Sequence, residues 1–151
     1  MTAPAFFDFE QDFVISLRCI PMTVRLKLDT CGVKLKLAHW HQFTPSERQS
    51  LVDLPCEDVA TTVAYREHLQ SLVVGHTGQP AKSLDIDPQP PWQSTTVPPQ
   101  VQTQAQTHQI SVTDDQWQSL SHAQRFALIK LSRPSHENRN FVPAMAEFGL
   151  V

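Results

Sequence analysis

Trp40-His-Gln-Phe43-Thr44-Pro45-Ser-Glu47-Arg48-Gln-Ser-Leu51-Val52-Asp-Leu54 recurs without a gap as Trp117-Gln-Ser-Leu120-Ser121-His-Ala-Gln124-Arg125-Phe-Ala-Leu128-Ile129-Lys-Leu131. Trp40/Trp117, Arg48/Arg125, Leu51/Leu128 and Leu54/Leu131 are identical, and Phe43/Leu120, Thr44/Ser121, Glu47/Gln124 and Val52/Ile129 are conservative pairs. Both copies carry a capping box, Thr44 with Glu47 and Ser121 with Gln124. The hydroxyl accepts from the backbone N–H three residues on, and the Glu or Gln reaches back to the cap's own N–H. Pro45 follows at N1, where its missing N–H costs nothing. Each copy therefore reads as a short helical turn bearing Trp, a tight turn, and a second helix with an apolar stripe. Arg48 and Arg125, at equal places, are expected to span a helix to an acceptor or stack on their Trp, in preference to gripping an anion.

Working outward, Val33-Lys34-Leu35 precedes the first copy and Ile110-Ser111-Val112 the second, as two short extended runs able to pair. Phe9, Phe13 and Leu17, interleaved with acidic residues, predict a helix over about 9–17, its early acids complementing the dipole. Pro21 breaks that helix and starts another, which carries Met22, Val24, Leu28 and Cys31 and stops at Gly32. The longest helix is expected over about Cys56–Val74, with Val59, Val63, Leu69, Leu72 and Val73 on its apolar side and Gly75 closing it. From 76 to 109 the chain turns to Pro, Gln, Thr and Ser, with Trp92 as an isolated aromatic. So little apolar surface does not offset the ordering entropy, and the segment reads as a disordered or partly polyproline linker. Thr113 with Gln116 forms another capping box; Lys36, at the matching place in the first copy, has no acceptor to cap with. Asn140 is the expected N-cap of a last helix over 141–148. The fold class is mainly α: a first helical half at 1–75, a linker at 76–109, and a second half at 110–151. The halves are expected to share one domain, since each alone is too small to bury its apolar face.

The chain has 151 residues, a net charge of -3 and a pI near 6.1, a balance that disfavours a phosphate-neutralising nucleic-acid surface. Cys19, Cys31 and Cys56 are odd in number and form no CxxC pair, which suits free thiols in a reducing compartment. The first ten residues lack a signal peptide's basic start and apolar run, and no apolar stretch approaches the roughly 20 residues of a membrane span. The expectation is a cytoplasmic protein.

No phosphate loop, nucleophile elbow, closed zinc spacing or carboxylate dyad stands out, so no catalytic residue and no cofactor is expected. His39 and His41 flank Trp40 and, with Cys19, Cys31 and Cys56, supply the types a metal carrier needs; H-x-H on a helix diverges, and this stands only as an alternative. Glu137-Asn138-Arg139-Asn140 is rich in donors and acceptors, and Arg139 suits a carboxylate or a helix's last carbonyls.

Phe7-Asp8-Phe9-Glu10, Leu17-Arg18-Cys19-Ile20-Pro21-Met22, Val24-Arg25, Leu28-Asp29 with Cys31-Gly32, and Leu54-Pro55-Cys56 resemble the nitrate reductase-associated proteins of cyanobacteria and some proteobacteria. Gln124 to Leu128, Lys130-Leu131, Glu137 to Phe141, Pro143-Ala144 and Glu147 to Leu150 resemble the same family's C-terminal signature. The resemblance implies a small cytoplasmic protein whose gene accompanies assimilatory nitrate reductase and molybdopterin genes, and a role in making that molybdenum and iron–sulfur enzyme active. It carries over no catalytic residue. The expected function is thus a non-enzymatic accessory protein that binds nitrate reductase, apo or mature, with Arg18, Arg25, Asn138, Arg139 and Asn140 as candidate contacts. The alternative is a small metal or cofactor carrier using the cysteines and histidines.

Overall fold

The computed structural model describes residues 6–11, 17–134 and 136–151. Phe13 and Ile15 of the expected first helix lie outside the described residues. The described residues form eight α-helices: α1 (Met22–Cys31), α2 (Leu37–Gln42), α3 (Pro45–Asp53), α4 (Val59–Thr77), α5 (Pro99–Thr107), α6 (Asp114–Ser119), α7 (His122–Leu131) and α8 (Phe141–Glu147). Three 3-10 turns lie at Asp8–Glu10, Pro91–Gln93 and His136–Asn140, and the two-residue strands β1 (Val33–Lys34) and β2 (Lys82–Ser83) pair antiparallel. The fold is mainly α.

The chain divides into two compact units, one holding Glu10–Ile86 and the other Phe7–Phe9 with Asp87–Val151. Each carries one copy of the repeat, and the repeat is longer than the Trp-led stretch. At the shift of 77 that takes Trp40 to Trp117, α2 falls on α6 residue for residue and α3 starts where α7 starts. The same shift takes Pro21 to Pro98, Val24 to Val101 and Thr30 to Thr107, so α1 and α5 are also equivalent. Pro21 and Pro98 are both extended N-caps, the Pro21 carbonyl accepting from Val24 N and Arg25 N and the Pro98 carbonyl from Val101 N and Gln102 N. Gly32 and Gln109 both end their helix with positive φ, at 76° and 58°.

In the first unit Trp40, Leu51, Tyr65, Leu69 and Val73 are fully buried in one cluster with Val24, Cys31 and Val33. In the second, Trp117, Phe126, Leu128, Phe141 and Met145 are fully buried. Side chains of that size are each worth about 3–5 kcal/mol against truncation to Ala.

Three expectations need correction. The extended runs do not pair with each other: Val33 faces Ser83 and Lys34 faces Lys82, because α4 delivers the chain back beside β1. The long helix starts at Val59 on an Asp58 cap, passes through Gly75, and stops only at Gly78, with φ 82°. Its buried side is Tyr65, Leu69 and Val73, whereas Val59 and Val63 are 83% and 51% exposed. Leu17, just past the undescribed part of the helix expected over 9–17, takes a left-handed backbone at φ 56°.

The last correction concerns 76–109, which carries the end of α4, β2, a 3-10 turn and α5 instead of a bare linker. Of its apolar side chains, Ala81, Val97, Val101 and Ala105 are buried, Leu84 and Trp92 are half-buried, and Ile86 is exposed. Its backbone polar groups find long-range partners: Trp117 Nε1 donates to Ser94 O at 3.0 Å and Gln118 Nε2 to Thr95 O at 2.9 Å. Trp92 sits edge-on against Phe126, 5.2 Å between ring centroids.

Candidate functional site

Each Trp of the repeat organises a node. Trp40 Nε1 donates to Leu17 O at 2.7 Å, and Arg48 donates Nε to Trp40 O, Nη1 to Leu17 O and Nη2 to His41 O, at 3.0, 3.3 and 3.1 Å. In the second copy Arg125 donates Nε to Trp117 O, Nη1 to Trp92 O and Nη2 to Gln118 O, at 3.0, 3.2 and 2.9 Å. Both guanidinium carbons lie 5.9 Å from their own Trp ring centroid. The rigid fork of Arg matches two carbonyls at a helix end and a third from a distant segment, which the compact ammonium of Lys does not. Both residues anchor the fold.

The capping boxes form as the sequence implied at Thr44/Glu47, Thr113/Gln116 and Ser121/Gln124. At α2 the reciprocal half exists too, which sequence reasoning missed: Lys36 N donates to His39 Nδ1 at 3.2 Å, where Gln116 Oε1 serves Thr113 N in the second copy. Burial first, and the Lys36 charge second, hold the His39 pKa below its usual value. His41 Nε2 lies 3.1 Å from Arg18 O.

Ser50 and His68 form a hydroxyl–imidazole pair between α3 and α4, 2.9 Å apart. Ser50 Oγ donates its one hydrogen to Glu47 O at 2.6 Å, so His68 Nε2–H donates to the hydroxyl. That proton order is the reverse of what nucleophile activation requires. Glu47 Oε1 accepts from Thr44 N and from His76 Nε2, both at 2.8 Å, and the Thr44 N–H holds the Glu47 carboxyl below its usual pKa.

The cysteines do not make a centre. Cys19 is exposed, and Cys31 and Cys56 are buried. Burial pushes the Cys31 thiol up to about 11 and raises that of Cys56 as well. Among the described residues, no three His, Cys, Asp or Glu side chains converge as a metal site. The set Cys19, Cys31, Cys56, His39 and His41 is therefore not gathered, because both imidazoles are turned to backbone groups and two thiols face the interior.

Of the candidate contacts, Arg18 and Arg139 are exposed and Arg25 is half-buried on α1. Asn140 precedes α8 without capping it by its side chain. Asn138 is engaged: its Nδ2 donates to Leu131 O and Arg133 O at 3.0 and 3.2 Å, and its Oδ1 accepts from Gln104 Nε2 at 3.0 Å. Lys27, the counterpart of Gln104, donates Nζ to Leu54 O at 2.6 Å and Val52 O at 2.7 Å, and Leu54 is the counterpart of Leu131. One position thus serves the same helix end, directly in one unit and through Asn138 in the other. Desolvation lowers the pKa of Lys27.

A family model described as the conserved nitrate reductase-associated protein matches residues 6–148. The chain belongs to this family. No curated protein and no solved structure was found to match it. In this nitrate reductase-associated protein the end segments that carry the resemblance are framework. Asp8 N and Phe9 N donate to the two oxygens of Glu147, each at 3.0 Å, and Phe7 and Phe9 pack on Phe148. Glu10, buried, accepts from Met22 N at 3.1 Å and so satisfies the open N-terminus of α1. No helix among the described residues is long and apolar enough to cross a membrane.

Proposed function

We propose that this protein is a non-enzymatic accessory factor of assimilatory nitrate reductase, acting in the cytoplasm. It binds the reductase, apo or mature, and assists its assembly or cofactor loading. The observation that carries this reading is the family match over residues 6–148, whose description places the family in association with nitrate reductase. The chemistry of the fold supports a binding role. The Trp-stacked arginines are committed to carbonyls, the Ser50–His68 pair runs in the unproductive direction, and two thiols are held protonated. A net charge of -3 favours a protein partner over nucleic acid. Arg18, Arg25, Arg139 and Asn140 stay candidate contacts, and Asn138 contributes by holding that loop on α7.

The test is a pull-down of purified apo-nitrate reductase on the immobilised full chain at micromolar concentration. Association is expected, and its absence overturns the proposal. The two halves are also proposed to behave as one cooperative domain, since a body of half this size buries little surface. A single calorimetric transition is expected; two resolved transitions would refute it.

A further inference from the structure

The duplication supplies an internal comparison. Trp40 Nε1 donates to Leu17 O and Trp117 Nε1 to Ser94 O, so Leu17 to Trp40 and Ser94 to Trp117 are matched stretches. Their frameworks agree and their charges do not. The first holds Arg18, Arg25, Lys27, Lys34 and Lys36 against the single acid Asp29, whereas the second holds Asp114 and Asp115 and no Lys or Arg. Lys34 and Lys36 stand where the second copy has Ser111 and Thr113. The matched framework forms around that Ser and Thr, so the fold does not require these two lysines.

The β1–β2 ribbon adds a third. Lys34 pairs directly with Lys82, while Val33, on the other face of β1, is buried. Directly opposed residues share a face, with Cβ atoms about 5 Å apart. Lys34, Lys36 and Lys82 are exposed, and among the described residues none of their ammonium groups has a hydrogen-bond or ion-pair partner. Like charges placed opposite each other destabilise a ribbon, and so short a ribbon is marginal to begin with.

The chain nevertheless holds this ribbon firmly from α4. Arg66 donates Nη1 to Cys31 O and Gly32 O and Nη2 to Ser83 Oγ, at 2.9, 3.2 and 3.0 Å. Gln70 Nε2 donates to Ala81 O at 3.0 Å, and Ala81 N donates to Gln70 Oε1 at 2.8 Å. The bonds of Arg66 go to carbonyls and a hydroxyl, so its charge adds to the positive field at the ribbon. Lysine on an edge strand deters edge-to-edge pairing, but one charge serves that purpose without a fixed, face-to-face pair.

We propose that the exposed face of this ribbon, Lys34 and Lys82 with Lys36 following, is a docking site for an acidic segment of nitrate reductase, whose carboxylates lie between the opposed ammonium groups. This rests on the reading of the protein as a reductase-binding factor. An anion between the two lysines turns a repulsion in the free protein into an attraction in the complex. A positive face on a chain of net charge -3 also orients the encounter.

The experiment measures association of the full chain with purified nitrate reductase for wild type, Lys34→Glu, and Lys34→Ser/Lys36→Thr, which copies the second repeat. Lys34→Glu sets an opposite charge against Lys82, so its thermal midpoint is expected to hold or rise. Both variants are expected to weaken association by about tenfold at low salt, and to leave the remainder less salt-dependent than wild type. A poly-Glu peptide is expected to compete with the reductase. Wild-type binding that neither variant weakens overturns this site and leaves the accessory role standing. A wild type that does not bind overturns both. Competition by an RNA oligonucleotide where poly-Glu fails would assign the ribbon to nucleic acid, and variants that bind normally but self-associate would assign the lysines to edge protection; either result overturns the proposal.

Discussion

Arg125 lies over the Trp117 ring and donates Nε to the Trp117 carbonyl at 3.0 Å, as Arg48 does to Trp40 at the same distance in the first copy. Arg125 is only 9% exposed and carries three hydrogen bonds to carbonyls, whereas Arg48 is half-buried. Breaking a charged donor network leaves buried carbonyls unsatisfied, which costs about 2–4 kcal/mol. Arg125→Lys is expected to lower the unfolding free energy from urea titration by an amount of that order, and Arg48→Lys by less. Equal small effects at both sites would show that the forks are not needed.

His39 holds the N-terminus of α2 with a neutral ring nitrogen. Burial first, and the Lys36 charge second, hold its pKa below the ordinary 6.5, so the folded state prefers the neutral form. That contribution is complete above about pH 6.5 and is lost as pH falls through the lower folded value. His39→Gln copies Gln116 of the second repeat, keeps an acceptor and removes the titration. The stability difference between wild type and His39→Gln is expected to shift in favour of the variant as pH drops from 7 to 5. A pH-independent difference would refute the role.

Glu47 gives a more acidic window. Its carboxyl is held low by the Thr44 N–H first, with help from His76, so its stabilisation is present above 4.5 and is lost as pH falls through the folded value. Glu47→Gln matches Gln124 and keeps the cap. It is expected to flatten the acid limb of the stability curve below about pH 4.5, with a change of about 0.5 kcal/mol at neutral pH because the pair is partly solvated. An unaltered acid limb would count against it.

The two helix ends at Gly32 and Gln109 make a natural contrast. Gln109 holds φ 58° with a side chain, so Gln109→Gly is expected to stabilise by about 1 kcal/mol. Gly32→Ala is strained by φ 76°, and its Cβ would also lie 2.8 Å from Leu84 O and from Ile86 Cγ1. A loss larger than 1 kcal/mol in magnitude is expected there. Thermal unfolding of both variants checks the pair.

Thiol reactivity separates the framework cysteines from the surface one. At pH 8 a thiol reagent is expected to modify Cys19 quickly, and Cys31 and Cys56 only on unfolding, since burial raises both. Three fast thiols in the native protein would contradict this packing.

The amino-acid sequence by itself determined what depends on neighbours three or four residues away. The capping hydroxyls at Thr44, Thr113 and Ser121, the starts of α3, α6 and α7, and the pairing of each Arg with its Trp were legible there. Tertiary structure alone decided what depends on distant partners. Composition makes 76–109 look unable to fold, yet Arg125 reaches Trp92 O across 33 residues and Trp117 reaches Ser94 O across 23. Those bonds, with the burial of Val97, Val101 and Ala105, supply the order that local apolar content lacks. The same holds for β1, which meets β2 because α4 ends beside it. Val59 and Val63 read as core on a helical wheel, and only the placement of Tyr65, Leu69 and Val73 inward shows that they face out. Hydrophobicity states that a side chain favours burial, and the packed chain states whether it supplies the cover itself.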